Sequence, residues 1–150
     1  MKVFFAGDHA GFLMKQKLIE FVRSFGYTVE DCGAYVLNQD DDYPEFIKKA
    51  ASAVSKNPKL NKAVIFGGSG QGEDMVADKF PHVRSAEYYG GNLEVVKLAR
   101  EHNDANILSL GARFVTEAEA KEAVRVFLET PFSGDERHIR RLAKIDAWKY

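Results

Sequence analysis

Apolar residues fall along this chain in two alternating patterns: short unbroken runs, and sparse sets spaced at helical intervals. Lys2 to Ala6 is the first run and predicts a buried strand, closed by the turn Gly7-Asp8-His9-Ala10-Gly11. Met14, Leu18, Phe21, Val22 and Phe25 then recur at i, i+4, i+7, i+8 and i+11, one face of a helix, with Gly26 at its C′ position. Tyr27 to Cys32 reads as a second strand and Gly33 to Tyr43 as a loop, with Asp40-Asp41-Asp42 just before a helix that starts on Pro44. Ile47, Ala50, Ala51 and Val54 give that helix its apolar face, and Asn57-Pro58 ends it.

Ala63-Val64-Ile65-Phe66 is the third strand, broken by Gly67-Gly68-Ser69-Gly70-Gln71-Gly72. Glu73 and Asp74 open a helical pattern through Met75, Val76 and Ala77. After Pro81 come strand four, Val83 to Ala86, and a helix opened by Gly90-Gly91 that carries Leu93, Val96 and Ala99 and closes at His102-Asn103-Asp104. Asn106 to Leu110 is strand five. Thr116 with Glu119 spells a capping box, ahead of an inward face of Ala120, Ala123, Val124, Phe127 and Leu128. Pro131 to Gly134 breaks the chain before a last helix near Arg137 to Trp148.

Strands alternating with helices predict a parallel sheet covered on both faces. Five strands suit a flavodoxin-like three-layer sandwich in the order 2-1-3-4-5, one domain over residues 1–150. Ligands in such folds bind beyond the carboxyl ends of strands one and three, where the winding reverses. Those ends are Gly7-Asp8-His9 and Gly67 to Glu73, the two most polar, glycine-marked turns. His102 ends its helix at the opposite, amino edge, and Arg137 to Arg141 follow a helix that ends there too. If these residues act on the same ligand, a neighbouring subunit presents them.

Composition narrows the classes. A chain of 150 residues, 45% hydrophobic, builds a real core, and a formal net charge of −1 gives no field that recruits nucleic acid or an anionic membrane. Cys32 is the one cysteine, so no internal disulfide framework exists, which fits a cytoplasmic setting. Asp8 and His9 cut off the opening apolar run, so no signal peptide is readable; no run approaches the roughly 18 apolar residues of a membrane span.

Strand, glycine turn and helix start together predict an anion cradle, because the first helical amides are unpaired and glycine lets a ligand come close to them. Glu73 stands beside it, either as a proton-transferring carboxylate or as an ordinary first-turn acid stabilised by the helix dipole. A dinucleotide fingerprint fits worse: the spacing is GxGxG, and it follows the third strand, not the first. His102 has a side chain that titrates near neutrality, and equally a simple place at a helix C-terminus. Arg137 and Arg141, at i and i+4, lie on one helix face, so their guanidinium forks can converge on a phosphate. Arg140 and Lys144 read as a solvated face, and His82 and His138 carry no motif.

GDHAGF at Gly7, DYP at Asp42, GGSGQGE at Gly67, HNDAN at His102, LGAR at Leu110 and SGDERHIRR at Ser133 fall in one order along nearly the whole chain. Together they resemble the type B ribose-5-phosphate isomerase family, which includes the galactose-6-phosphate isomerase subunits. The resemblance implies a flavodoxin-like dimer or dimer of dimers, with active sites shared between subunits, no metal and no organic cofactor. It also implies a small phosphorylated sugar as substrate and aldose–ketose isomerisation through an enediolate. Many relatives carry cysteine where this chain has Gly67; the chain resembles the branch with glutamate at position 73, which moves the base role to Glu73 and leaves Cys32 idle. By the same resemblance, Gly68, Ser69, Gly70 and Gly72 cradle the enediolate, and His102, helped by Asp8, opens the sugar ring. Asn103 holds a sugar hydroxyl, Tyr43 lines the pocket, and His9, Arg113, Arg137 and Arg141 grip the phosphate. The leading expectation is ribose 5-phosphate to ribulose 5-phosphate. The rivals are a six-carbon substrate, allose or galactose 6-phosphate, with the difference in loop Ala34 to Asp41, and a flavodoxin-like nucleotide or flavin binder without catalysis.

Overall fold

The computed structural model describes residues 1–148; Lys149 and Tyr150, the end of the domain expected over 1–150, lie outside the described residues. The chain runs β1 (Lys2–Gly7), α1 (Phe12–Ser24), β2 (Thr28–Asp31), α2 (Pro44–Lys56), β3 (Asn61–Gly67), α3 (Gln71–Ala77), β4 (Ser85–Tyr88), α4 (Glu94–Asn103), β5 (Ile107–Gly111), α5 (Glu117–Glu129) and α6 (Glu136–Asp146). Every strand pair is parallel. Side chains alternate across the sheet. Val3, Phe5, Val64, Phe66, Leu108 and Leu110 meet α1, α4 and α5 in one core. Phe4, Ala6, Ala63, Ile65 and Ile107 meet α2 and α3 in the other. Strands buried on both faces need continuous apolar runs, which is what β1 and β3 contain.

The sheet order is β2-β1-β3-β5-β4, which corrects the expected 2-1-3-4-5. Burial explains the exchange. All five residues of β5, Ile107 to Gly111, are buried, as an interior strand requires. In β4 only Tyr88 is buried, and Ser85 and Glu87 are polar, so β4 takes the edge. The winding still reverses between β1 and β3, which pair from Lys2↔Asn61 to Gly7↔Phe66.

Other boundaries moved for local reasons. Gly90 and Gly91 both adopt positive φ (108° and 91°), so they form a turn and α4 begins only at Glu94. Strand β4 sits two residues later than Val83 to Ala86, which places Ala86 and Tyr88 against the α4–α5 core. In α1 the buried face is Lys15, Leu18, Ile19 and Val22; Met14 and Phe21 lie on its rim, and Phe25, past the helix end, is 51% exposed. Met75 faces outward from α3. The capping box forms as read: Thr116 Oγ1 accepts from the Glu119 amide at 3.2 Å, and Glu119 Oε2 accepts from the Thr116 amide at 2.7 Å. Helix α6 lies outside the two layers and buries His138 and Leu142. Among the described residues, no helix is long and apolar enough to cross a membrane.

Candidate active site

The buried stretch of β3, Ala63 to Gly67, delivers the chain to the carboxyl edge of the sheet, where it must turn back at once. Gly70 makes the turn at φ 88°, a left-handed conformation costly for side chains with a Cβ. The turn is fastened to the neighbouring strand. The buried Ser109 hydroxyl on β5 donates to the Gly70 carbonyl at 2.6 Å, and the Arg113 amide donates to the Gly68 carbonyl at 3.1 Å. Both bonds exist because β5, not β4, lies beside β3. Ser69 Oγ accepts from the Gln71 amide at 3.3 Å.

Glu73, on the first turn of α3, is 4% exposed. Its carboxylate occupies the space that a Cβ at Gly67 would need. Burial raises its pKa above the ordinary carboxylate value; hydrogen bonding to its own backbone opposes this, while the charges of Asp8 and Glu87 add to it. Asp8, also buried, sits at the end of β1, where its Oδ1 accepts from the amides of Ala10 (2.9 Å) and Gly11 (3.2 Å). These bonds set the turn that starts α1. His9 is bonded through Nδ1 to Asp41 Oδ1 at 2.7 Å.

Two more side chains close on the glycine turn. A Cβ at Gly72 would lie 2.7 Å from the Tyr43 hydroxyl, and one at Gly68 would lie 3.3 Å from the Arg113 guanidinium. Asp8, His9, Tyr43, Gly68, Ser69, Gly70, Gly72, Glu73 and Arg113 therefore all lie at the carboxyl edge, where the winding reversal between β1 and β3 leaves a crevice in folds of this kind.

His102, Asn103, Arg137 and Arg141 do not join them within this chain. Helix α4 returns to the amino edge, and His102 and Asn103 are its last two residues. The His102 ring stacks on His138 with centroids 4.4 Å apart and planes 13° from parallel. His138 is buried, and burial first, then the nearby His102 and Arg137, lowers its pKa; Asp135 opposes this. The Ser133 amide donates to the Glu101 carbonyl at 3.0 Å and ties the start of α6 to the end of α4. Arg137 and Arg141 are exposed there. The Asn103 carbonyl accepts from Arg84 Nε at 2.9 Å. A cleft of about 610 Å³ on this side, lined by Lys56, His82, Arg84, Phe132 and Leu142 among others, includes none of the residues of the carboxyl-edge crevice.

Asp41 and His138 were not singled out from the sequence. Asp41 sits in an acidic run before α2; its contact with His9 spans 32 positions and has no local signal. Asp8, His9 and Asp41 offer three potential metal-ligand atoms within 4.8 Å of one another. Two of those atoms are joined by the His9–Asp41 hydrogen bond, and Asp8 Oδ1 accepts from two amides, while Asp41 Oδ2 has no partner among the described residues.

A buried acid of raised pKa over a turn of main-chain donors, flanked by histidine and arginine at the winding reversal of a flavodoxin-like sheet, defines an α/β proton-transfer enzyme for a small anionic substrate. Comparison with known proteins narrows the class. The family model described as Ribose/Galactose Isomerase matches residues 3–145. The ribose-5-phosphate isomerase B of Mycolicibacterium paratuberculosis is 41% identical over 142 residues, covering 95% of this chain and 87% of that protein. The solved ribose-5-phosphate isomerase B of Mycoplasma genitalium, with bound ribulose-5-phosphate, superposes with a TM-score of 0.92 at 35% identity, covering 97% of this chain and 93% of that one. The enzyme from Thermotoga maritima gives 0.89 at 35% identity, with 98% of each chain covered. The chain belongs to the Ribose/Galactose Isomerase family.

Proposed function

We propose that this protein interconverts ribose 5-phosphate and ribulose 5-phosphate, with Glu73 as the base. The observation that carries the assignment is the Glu73 carboxylate seated over Gly67, facing the glycine turn. In this reading Glu73 removes the C2 proton of the open-chain aldose and the electron pair moves to O1, forming the enediolate. The Gly68 to Gly72 amides and the Ser69 hydroxyl hold that charge, as fixed donors aimed at a developing oxyanion do. A hydroxyl proton passes from O2 to O1, and Glu73 returns its proton to C1. A raised pKa suits a group that must both take and release a proton near neutrality.

The phosphate lies between His9 and Arg113 of one chain and Arg137 and Arg141 of a second copy. His102 of that copy opens the furanose ring with Asp8, and its Asn103 holds a sugar hydroxyl, while Tyr43 lines the pocket. The separation of these residues into two groups at opposite sheet edges supports a homodimer with shared sites, alone or as a dimer of dimers. The reading takes residues 1–150 as one catalytic domain that uses no cofactor or metal. The buried free thiol of Cys32 fits a cytoplasmic setting.

The test incubates the purified protein with ribose 5-phosphate and, separately, with allose 6-phosphate, and follows ketose formation. Turnover of the pentose phosphate is expected. Turnover of the hexose phosphate alone would move the assignment to the six-carbon reading, and none with either would leave a binding module.

A further inference from the structure

Asp41 stands one step behind the crevice, and its geometry is specific. One oxygen, Oδ1, takes both hydrogen bonds that His9 directs toward the loop: the backbone amide at 3.2 Å and the ring Nδ1 at 2.7 Å. The Asp41 side chain is 6% exposed, against 21% for His9. The pair is therefore no floating surface ion pair of the kind that contributes little. A tight turn holds Asp41 in place, with its amide on the Asn38 carbonyl at 3.3 Å and the Asp40 amide on Asn38 Oδ1 at 3.1 Å. Two residues on, Tyr43 lies against Gly72.

We propose that Asp41 is the positioning residue that fixes the tautomer and aim of His9, so that Nε2 is the nitrogen presented to the substrate phosphate. This rests on the reading of His9 as a phosphate ligand. An ionised carboxylate has no hydrogen to give, so Nδ1 carries the shared one, and the bond at one ring nitrogen decides the state of the other. Adding a proton at Nε2 makes an imidazolium with Asp41 and Asp8 on one side and the phosphate on the other; Asp8 Oδ2 lies 3.9 Å from Nδ1. The second oxygen of Asp41, Oδ2, is buried with no partner among the described residues. A carboxylate oxygen left bare in the interior is unfavourable.

The test compares Asp41→Ala, Asp41→Asn and, in parallel, His9→Asn, each checked for a cooperative melt. Asp41→Ala raises KM for ribose 5-phosphate about tenfold or more, with kcat changed less than about threefold; Asp41→Asn, which keeps the acceptor but not the charge, falls between it and the parent. Nitrogen-15 spectra of the His9 ring, assigned by their loss in His9→Asn, show the Nδ1–H form in the parent and lose that preference in Asp41→Ala. An Nδ1–H ring that persists in Asp41→Ala, or an unchanged KM there while His9→Asn raises it, overturns the role of Asp41. An unchanged KM in His9→Asn overturns the phosphate role of His9 itself, and this proposal with it.

Discussion

Gly67 and Glu73 share one volume: the Glu73 carboxylate lies where any side chain at position 67 would have to stand. The absence of a side chain at one residue is therefore what allows the other to fold back over the turn. Gly67→Ala forces the carboxylate out of its seat. If Glu73 is the base, turnover of ribose 5-phosphate falls by about 10²–10⁴-fold, the usual range for a lost general base. Steady-state kinetics measure this, and a kcat within a factor of two of the parent would remove Glu73 from the chemistry.

Glu73→Gln separates stability from activity. Burial holds the Glu73 pKa above that of the unfolded chain, so its protonated form favours the fold. That contribution is complete at pH below the unfolded carboxylate value and is lost as pH rises through the raised one. Above the unfolded value the buried carboxyl therefore burdens the fold, and the neutral amide relieves it. The variant melts higher than the parent at pH 7–8, by about 2–4 °C for each kcal/mol relieved. The difference closes as pH falls toward about 4. Turnover drops over the same range as for Gly67→Ala. Melts across a pH series decide it, and a variant that melts lower at every pH contradicts the account.

Arg137 and Arg141 are exposed on α6, on the side of the fold away from the Glu73 crevice. With sites completed by a second copy, Arg137→Ala alone raises KM at least tenfold, since a charged hydrogen bond to phosphate is lost. At substrate well below the raised KM, where both variants are nearly silent, mixing Glu73→Gln with Arg137→Ala protein under exchange conditions restores activity, because each hybrid dimer holds one site with both wild-type halves. About a quarter of parental activity is expected from an equal mixture, by counting sites. No recovery, with exchange verified by mass, would mean that each chain works alone.

Lys62 offers a test away from the site. It is half-buried at the start of β3, with Nζ 5.3 Å from the centre of the Phe127 ring. Burial, then the charge of Arg100, lowers its pKa to about 8 from 10.5, while Asp104 acts the other way. Between those values the unfolded chain binds more protons than the fold, so stability rises with pH across that window. Lys62→Met is more stable than the parent at pH 7, on the order of 1 kcal/mol, and the gain shrinks by pH 9.5. Denaturant titrations at the two pH values measure it. A variant less stable at pH 7 refutes the argument.

The features that the sequence does not specify locally share a cause. The alternation of runs and helical spacings located every element, and the Thr116–Glu119 pair marked the start of α5, because these signals lie within a turn or two of one another. The exchange of β4 and β5 was not visible, since which strand lies beside β3 depends on how completely each can be buried. The late start of α4 followed from backbone signs at Gly90 and Gly91 that their residue type permits but does not impose. Asp41 is not legible in the sequence because its partner His9 is 32 positions away and the acid run around it has a local explanation.

By itself, then, the chain determined its strands and helices, the glycine turn after β3, Glu73 beside that turn, and the placing of His102 and the two arginines at the other edge. Periodicity, turn chemistry and the alternation of strand with helix are local rules, and local rules reach that far. Only the tertiary structure decided that Arg113 flanks Gly68, that Glu73 rests in the gap above Gly67, and that Asp41 holds His9. Each of these depends on which distant segments come to share space, which packing resolves only when the whole sheet has formed.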